Sequence, residues 1–259
     1  MSKVITIAGQ KGGTGKSVTA VNLATSFALI EKKTLLIDCD PQGCSTKWCG
    51  VKKFDYNCDI SLVLSGRAKF TDAVVKTEFQ YLDIMPAEFN LFQVALKLGK
   101  DPGNEKILRL LLKNIEDKYD YIIIDSPSSY SFLSITAMTA ADWLLVCMSV
   151  HHSSVEDFHC LLRLVKYIRT THDIPLKIAG LLFNRCETKQ DILSFIENQS
   201  LSDIKPMVYN TFIPIDDSIN RSIDLKIPAA LHEIKSPAAI AYLEFAGEID
   251  VFFNQRGVS

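Results

Sequence analysis

The sequence predicts an α/β fold: a mostly parallel central sheet with helices on both faces, built from residues 1–259 as a single domain. Three observations carry this expectation. Short β-branched runs that end in Gly or Asp recur along the chain, as buried parallel strands do. Segments with apolar residues at helical spacing separate them, which is the alternation of strands joined by crossover helices. The first of these strands also runs into a glycine-rich stretch that opens directly into a helix.

The elements follow in order. Val4–Ala8 is the first strand, and Ser17–Ile30 the first helix, with Val18, Val21, Ala24 and Ala28 along one side. Thr34–Asp38 is the second strand. Asp59–Leu64, Thr71–Lys76 and Glu88–Leu98 read as helices, with a strand at Tyr81–Met85. Glu105–Glu116 places Ile107, Leu108, Leu111, Leu112 and Ile115 on one helical face. Tyr121–Ile124 is the clearest buried strand, and Trp143–Met148 and Ile178–Phe183 are two more. A helix from about Ser154 to Arg169 lies between the last two. The turn Asp101-Pro102-Gly103-Asn104 lies within the domain, and no repeat or linker interrupts it.

Composition sets limits. Hydrophobic residues make up 47% of the chain, enough for a large core, and the net charge is −2. Bulk charge therefore does not announce nucleic-acid binding, and any such site must be a local patch. No apolar run reaches the length of a membrane span. No secretory signal is visible, so the seven cysteines are expected to be reduced thiols of a cytosolic protein.

Gln10-Lys11-Gly12-Gly13-Thr14-Gly15-Lys16-Ser17 follows the phosphate-loop pattern G-x-x-x-x-G-K-[ST], with Gln10 in place of the first glycine and a second lysine, Lys11, at the head. A strand, a glycine-rich loop and a helix in succession gather backbone N–H groups and the positive helix end around one anion. Gly12, Gly13 and Gly15 let the backbone approach phosphate without Cβ clashes. Lys16 would neutralise the β- and γ-phosphates, and the Ser17 hydroxyl would ligate Mg²⁺. Such a site also needs carboxylates at neighbouring strand ends. Asp125 follows one strand. Asp38 and Asp40 close another, and strand alternation puts them on one side with Cys39 opposite. One can orient the attacking water while the other supports the metal shell.

Lys11–Ser17, Leu35-Leu36-Ile37-Asp38-Cys39-Asp40-Pro41-Gln42-Gly43 and Tyr119–Ser129, in that order, resemble the ParA/Soj family of partition ATPases, within the MinD-like class of P-loop NTPases with a deviant Walker A motif. The resemblance spans nearly the whole chain and implies a Mg²⁺-dependent ATPase. It implies that Lys11 reaches the nucleotide of the other subunit in an ATP-bound homodimer, that Asp40 positions the hydrolytic water, that Asp38 lies near the metal, and that Asp125 is the Walker B acid. Thr14 and Val18 complete the loop's nucleotide contacts. Where the family usually has two prolines after that acid, this chain has Ser126-Pro127-Ser128. The resemblance further makes Asn184 the adenine-reading asparagine and Pro214 the proline flanking the base.

The same resemblance implies partners: a ParB-like adaptor that stimulates hydrolysis, and non-specific DNA of the nucleoid, bound through basic residues of the C-terminal third. Arg185, Lys189, Arg221 and Lys226 are the leading candidates, with Lys205 and Lys235 beside them. Asp216 and Asp217 stand where many relatives carry arginines. With its first strand at the start of the sequence, the chain is expected to be of the short type, which lacks the extra N-terminal domain of larger operator-reading relatives. The same kind of ATPase could instead position a protein assembly such as a chemotaxis array or microcompartment. A membrane role like that of MinD would need a basic amphipathic C-terminal helix, but Ala238–Phe253 carries Glu244, Glu248 and Asp250 on its polar side. Core packing is expected for that helix, with no membrane contact. A shared iron–sulfur cluster would need cysteine spacing that Cys39, Cys44, Cys49 and Cys58 lack, and His151, His152 and His159 read as surface residues rather than a zinc site.

Overall fold

The computed structural model describes residues 2–256 apart from Gln10, Glu116 and His152. The amino-terminal half contains β1 (Lys3–Ala8), α1 (Lys16–Leu29), β2 (Thr34–Asp38), α2 (Cys44–Trp48), α3 (Ile60–Leu64), β3 (Val75–Lys76), β4 (Leu82–Met85), α4 (Asn90–Leu98), α5 (Ile107–Leu112) and β5 (Tyr121–Asp125). It continues with α6 (Phe132–Ala140), β6 (Trp143–Met148), α7 (Val155–Thr171), β7 (Lys177–Cys186), α8 (Lys189–Asn198), β8 (Ile213–Pro214), α9 (Asp217–Leu225), α10 (Ala229–His232) and α11 (Pro237–Arg256). The sheet order is β3-β4-β2-β5-β1-β6-β7-β8, parallel throughout except for the antiparallel edge strand β3.

Alternation along the central strands divides the core between two faces. Val4, Ile122, Ile124, Leu144 and Val146 enter one apolar layer, with residues of α3 to α8. Ile5, Ile7, Ile123, Leu145 and Cys147 enter the other, under α1 and α11. Each fully buried Ile or Leu contributes roughly 1.5–3 kcal/mol of transfer free energy, so both faces hold the sheet firmly. Within the second layer the Phe27 ring stacks on Tyr121 at 3.8 Å between centroids. Tyr242, Phe245, Ala246, Ile249 and Phe253 of α11 are buried there. Glu248 accepts from the Asn210 and Thr211 amides, and Asp250 accepts from the Tyr121 hydroxyl, so two of the three acids noted on α11 are tied to the chain. Among the described residues, no helix is long and apolar enough to cross a membrane.

Two expected helices differ. In Thr71–Lys76, a short 3-10 turn over Phe70–Ala73 precedes β3, because Val75 and Lys76 pair with β4 and the Thr77 hydroxyl bonds the Leu82 carbonyl at 2.7 Å. A short apolar run does not distinguish a helix from an edge strand. The Glu105–Glu116 segment begins as a 3-10 turn, becomes α5 and stops at Leu112, where the Ile115 amide turns back onto the Leu112 carbonyl at 2.9 Å. Glu116 lies outside the described residues.

Candidate active site

β1, flanked by β5 and β6 in the middle of the sheet, delivers the chain into the glycine-rich loop that leads to α1. Gly9 is required at the exit. A Cβ there would lie 2.7 Å from the Cys147 carbonyl oxygen and 2.9 Å from Thr14 Oγ1. Gln10 lies outside the described residues. Gly15 has φ of +85° and caps α1 with no side-chain hydrogen bond. That leaves the first-turn N–H groups of a 14-residue helix without a side-chain acceptor, as an anion site does. Gly12 is exposed with open space around it, and Gly13 also has φ of +85°. Lys16 is buried and its ammonium donates to the Lys11 carbonyl at 3.0 Å, lying over the loop. Burial pulls its pKa down, opposed by Cys147, Asp125 and Asp40. Thr14 Oγ1 donates to the same carbonyl at 3.2 Å.

The acids lie at the adjoining strand ends. Asp125 is fully buried at the end of β5. Its Oδ2 accepts from the Ser45 hydroxyl at 2.6 Å, and its Oδ1 has no hydrogen-bond partner among the described residues. Burial pushes its pKa up to about 6, while the Ser45 and Ser17 hydroxyls beside it act the other way. Asp38, also fully buried, accepts from the Asp40 amide at 3.1 Å, the Thr46 amide at 2.9 Å and the Thr46 hydroxyl at 2.8 Å. Burial and then the neighbouring Asp125 push it up to about 8. Strand alternation does not set Asp40. β2 stops at Asp38, and Asp40 occupies the following turn, where its carboxylate accepts from the Gln42 amide at 2.9 Å. Asp40 is consequently half-buried while Asp38 is sealed. Cys39 and Cys49 enter opposite apolar layers, which separates them as ligands.

A buried carboxylate oxygen without a donor, next to a serine hydroxyl at the start of α1, suits a hard oxygen-seeking cation. Ser17 and Asp125 therefore fit Mg²⁺. Both Asp38 oxygens are already occupied by α2 and the Asp40 turn, so Asp38 supports the site from behind. Sequence reasoning did not single out Ser45 or Thr46, the residues that connect both acids to α2. Neither residue type signals that role.

Beside the loop is a cavity of about 240 Å³. Gly15, Val18, Asn184, Pro214, Ile219 and Tyr242 line it, so the expected base-side residues come together with the loop. The Asn184 amide is engaged: it donates to the Thr14 carbonyl at 2.9 Å and to Thr19 Oγ1 at 3.3 Å, clasping the loop from below. A Cβ on Gly15 would meet that amide nitrogen at 2.9 Å.

Lys11 is not part of this cavity lining. Its ammonium pairs with Asp157 at 2.9 Å, with the lysine side chain 53% exposed and the aspartate 19%. Asp157 also accepts from the Ser154 amide and hydroxyl, closing a capping box at the start of α7. These donors draw its pKa below the usual carboxylate range against the cost of burial. Neither this cap nor its pairing with Lys11 was singled out in the sequence.

The basic residues expected on DNA have different surroundings. Arg185, at φ of +58°, lines the cavity with Asp216 and Asp217. Arg221 bonds Glu233 at 2.7 Å. Lys189 opens α8, near Asn210, and Lys226 ends α9 in left-handed geometry. Asp216 caps α9 and also accepts from the Ala238 amide at 2.9 Å.

A parallel sheet, a phosphate loop between its first strand and first helix, and a buried carboxylate beside the loop serine together define a P-loop nucleotide hydrolase. The family model described as AAA domain matches residues 2–178. Chromosome partitioning protein ParA of Caulobacter vibrioides NA1000 is 32% identical over 249 residues, 95% of this chain and 93% of its own. Soj of Bacillus subtilis 168, a sporulation initiation inhibitor protein, is 31% identical over 96% of this chain and 98% of its own. The chain belongs to the ParA/Soj family of ATPases. MinD of Pyrococcus horikoshii, solved with Mg-ADP, shares the fold at a TM-score of 0.78, with 25% identity and 96% of each chain covered.

Proposed function

We propose that the protein is a Mg²⁺-dependent ATPase that closes into a sandwich homodimer on ATP and uses that switch for chromosome or plasmid partition. One observation carries the reading: the loop's two lysines are employed differently. Lys16 lies over its own loop, whereas Lys11 sits half exposed at the loop's head, its ammonium paired with Asp157 on α7. A cation that its own loop does not use is available to phosphate presented by a second copy. ATP then favours the closed dimer, and loss of the γ-phosphate weakens it.

In this reading the loop amides and Lys16 hold the phosphates, while Val18, Asn184 and Pro214 border the base. Ser17 and Asp125 hold Mg²⁺, which neutralises phosphate charge. Asp40, half exposed in its turn, orients the attacking water. A ParB-like adaptor stimulates hydrolysis, and the dimer binds nucleoid DNA non-specifically. Pairing of Arg221 with Glu233, and the acids around Arg185, direct the DNA contact toward Lys189 and Lys226.

Light scattering on size-exclusion columns tests the dimer. With ATP, the wild-type chain and Asp40→Ala should run as dimers, those of Asp40→Ala persisting longest, and Lys11→Ala should stay monomeric while still binding a fluorescent ATP analogue. A Lys11→Ala chain that dimerises normally removes the cross-subunit role. DNA binding across a salt series, with ATP, ADP and no nucleotide, tests the cargo path. Absence of ATP-dependent, salt-sensitive binding sinks the nucleoid reading.

A further inference from the structure

The start of α4 carries a solvent-facing apolar patch. Phe89, Phe92 and Leu96 recur at spacings of three and four residues on one helix face and are 66%, 48% and 58% exposed. Phe54, 82% exposed, is presented by the short 3-10 turn over Lys53–Asp55. The two segments are tied together through Glu88, which accepts from Lys53 and from the Tyr56 hydroxyl. Four exposed side chains of this size on two linked segments are a feature of interaction surfaces rather than of scattered surface apolars.

The rim of the patch is basic. Lys52, Lys97 and Lys100 are exposed around it, and Lys52 lies over the Phe54 ring at 5.9 Å. Glu88 is consumed by Lys53, and the Asp55 carboxylate accepts from the Lys52 amide at 2.7 Å. Residues 89–100 contain no acid, and the exposed Asp101 follows beyond Lys100. Self-pairing across a two-fold axis would set these lysines against their own copies, which opposes a second copy as the occupant. Three lysines also fall short of the cluster of about four to eight that marks a lipid-surface anchor. Charge complementarity selects an amphipathic helix with an apolar stripe flanked by Asp or Glu.

The patch is also wired to the acids of the nucleotide site. Ser45 donates to Asp125, and Thr46 donates to Asp38. The Thr46 hydroxyl accepts from the Ala87 amide at 3.0 Å, two residues before Phe89. A Cβ on Gly43 would stand 2.8 Å from the Ala87 carbonyl oxygen, so the Asp40–Gly43 turn rests directly on this segment. A shift of α2 when the acids change partners therefore moves Ala87 and the aromatic start of α4.

We infer that the Phe54–Phe89–Phe92–Leu96 face is a docking site for an acidic amphipathic helix of a partner protein, and that nucleotide state sets its affinity through α2 and Ala87. The docking surface stands independently of the partition reading; the coupling rests on the ATP switch proposed above.

The test is selection of a phage-displayed library of helical 16-residue peptides on the full chain with ATP, counter-selected on Phe89→Ser/Phe92→Ser. The expected winners carry apolar residues at helical spacing with flanking acids. Synthesised and labelled, a winner should bind with at least tenfold lower affinity to Phe89→Ser/Phe92→Ser and to Lys97→Glu/Lys100→Glu. Its affinity for the wild-type chain should differ at least threefold between ATP and ADP. Winners that are basic, or that bind all three chains equally, overturn the docking site. So does binding of anionic vesicles that the Phe89→Ser/Phe92→Ser change removes, which assigns the patch to lipid. Loss of ATP-driven dimers in the same variant assigns it to a second copy. Equal affinities with ATP and ADP overturn the coupling. Binding of a fluorescent ATP analogue and basal turnover, measured without peptide, report separately on the ATP switch.

Discussion

Lys11 reaches a second subunit only if it leaves Asp157, and that gives a quantitative expectation for Asp157→Asn. The pair is 2.9 Å long, but its lysine is 53% exposed, so solvent and salt screen it. Exposed pairs of this kind contribute about 0.2–1 kcal/mol. Two such pairs break when two protomers close, so the penalty removed from dimerisation is about 0.4–2 kcal/mol, a factor of roughly 2 to 30 in the dissociation constant. Asparagine retains a side-chain acceptor for the Ser154 amide and hydroxyl, so the α7 cap largely survives and folding is not the variable. The assay is sedimentation equilibrium with ATP in the Asp40→Ala background, where on the proposed role of Asp40 turnover should not erode the dimer. Asp157→Asn should tighten the dimer at 50 mM salt, and the gain should shrink toward about 500 mM as screening erodes the wild-type pair. An unchanged or weaker dimer at low salt refutes the idea that Asp157 holds Lys11 back.

Gly15→Ala should destabilise the chain by about 1–3 kcal/mol and abolish binding of a fluorescent ATP analogue, because φ of +85° and the Asn184 amide 2.9 Å from the new Cβ both oppose it. A thermal melt within 1 °C of wild type would contradict that strain. The buried pair Asp38 and Asp125 has raised pKa values, so the folded chain holds more protons than the unfolded chain between about pH 4 and about pH 8. Without Mg²⁺, stability in urea should therefore fall as pH rises through that window and level off above it, and a rise would refute the assignment. Freeing Arg221 by Glu233→Gln should strengthen DNA binding in the ATP state and steepen the log–log salt slope by about one unit. No change in slope means that Arg221 does not reach DNA even when Glu233 no longer holds it.

What was legible and what was not divides by the range of the interactions. β1, β2, β5 and β6 declare themselves because a strand buried on both faces must be apolar at nearly every position, so a short window suffices. The phosphate loop is equally local: Gly13 and Gly15 supply the backbone geometry within seven residues of Lys11. α2 had no such signal. Its Cys44-Ser45-Thr46 start is poor helix material, since short hydroxyl side chains compete for the backbone. Those hydroxyls are spoken for by Asp125, 80 residues away, and by Asp38, and left-handed Gly43 turns the chain into the helix. The helix exists because the acids need partners, and the acids are sealed from water because the helix covers them. Neither half of that arrangement is visible without the other. The Lys11–Asp157 pair follows the same logic, as does Ala87 hung on Thr46. In each, a residue with an unremarkable local context acquires its role from a distant strand end. A sequence therefore shows the groups that touch phosphate more readily than the groups that carry the consequence elsewhere, and in this chain Ser45 and Thr46 are the ones that carry it.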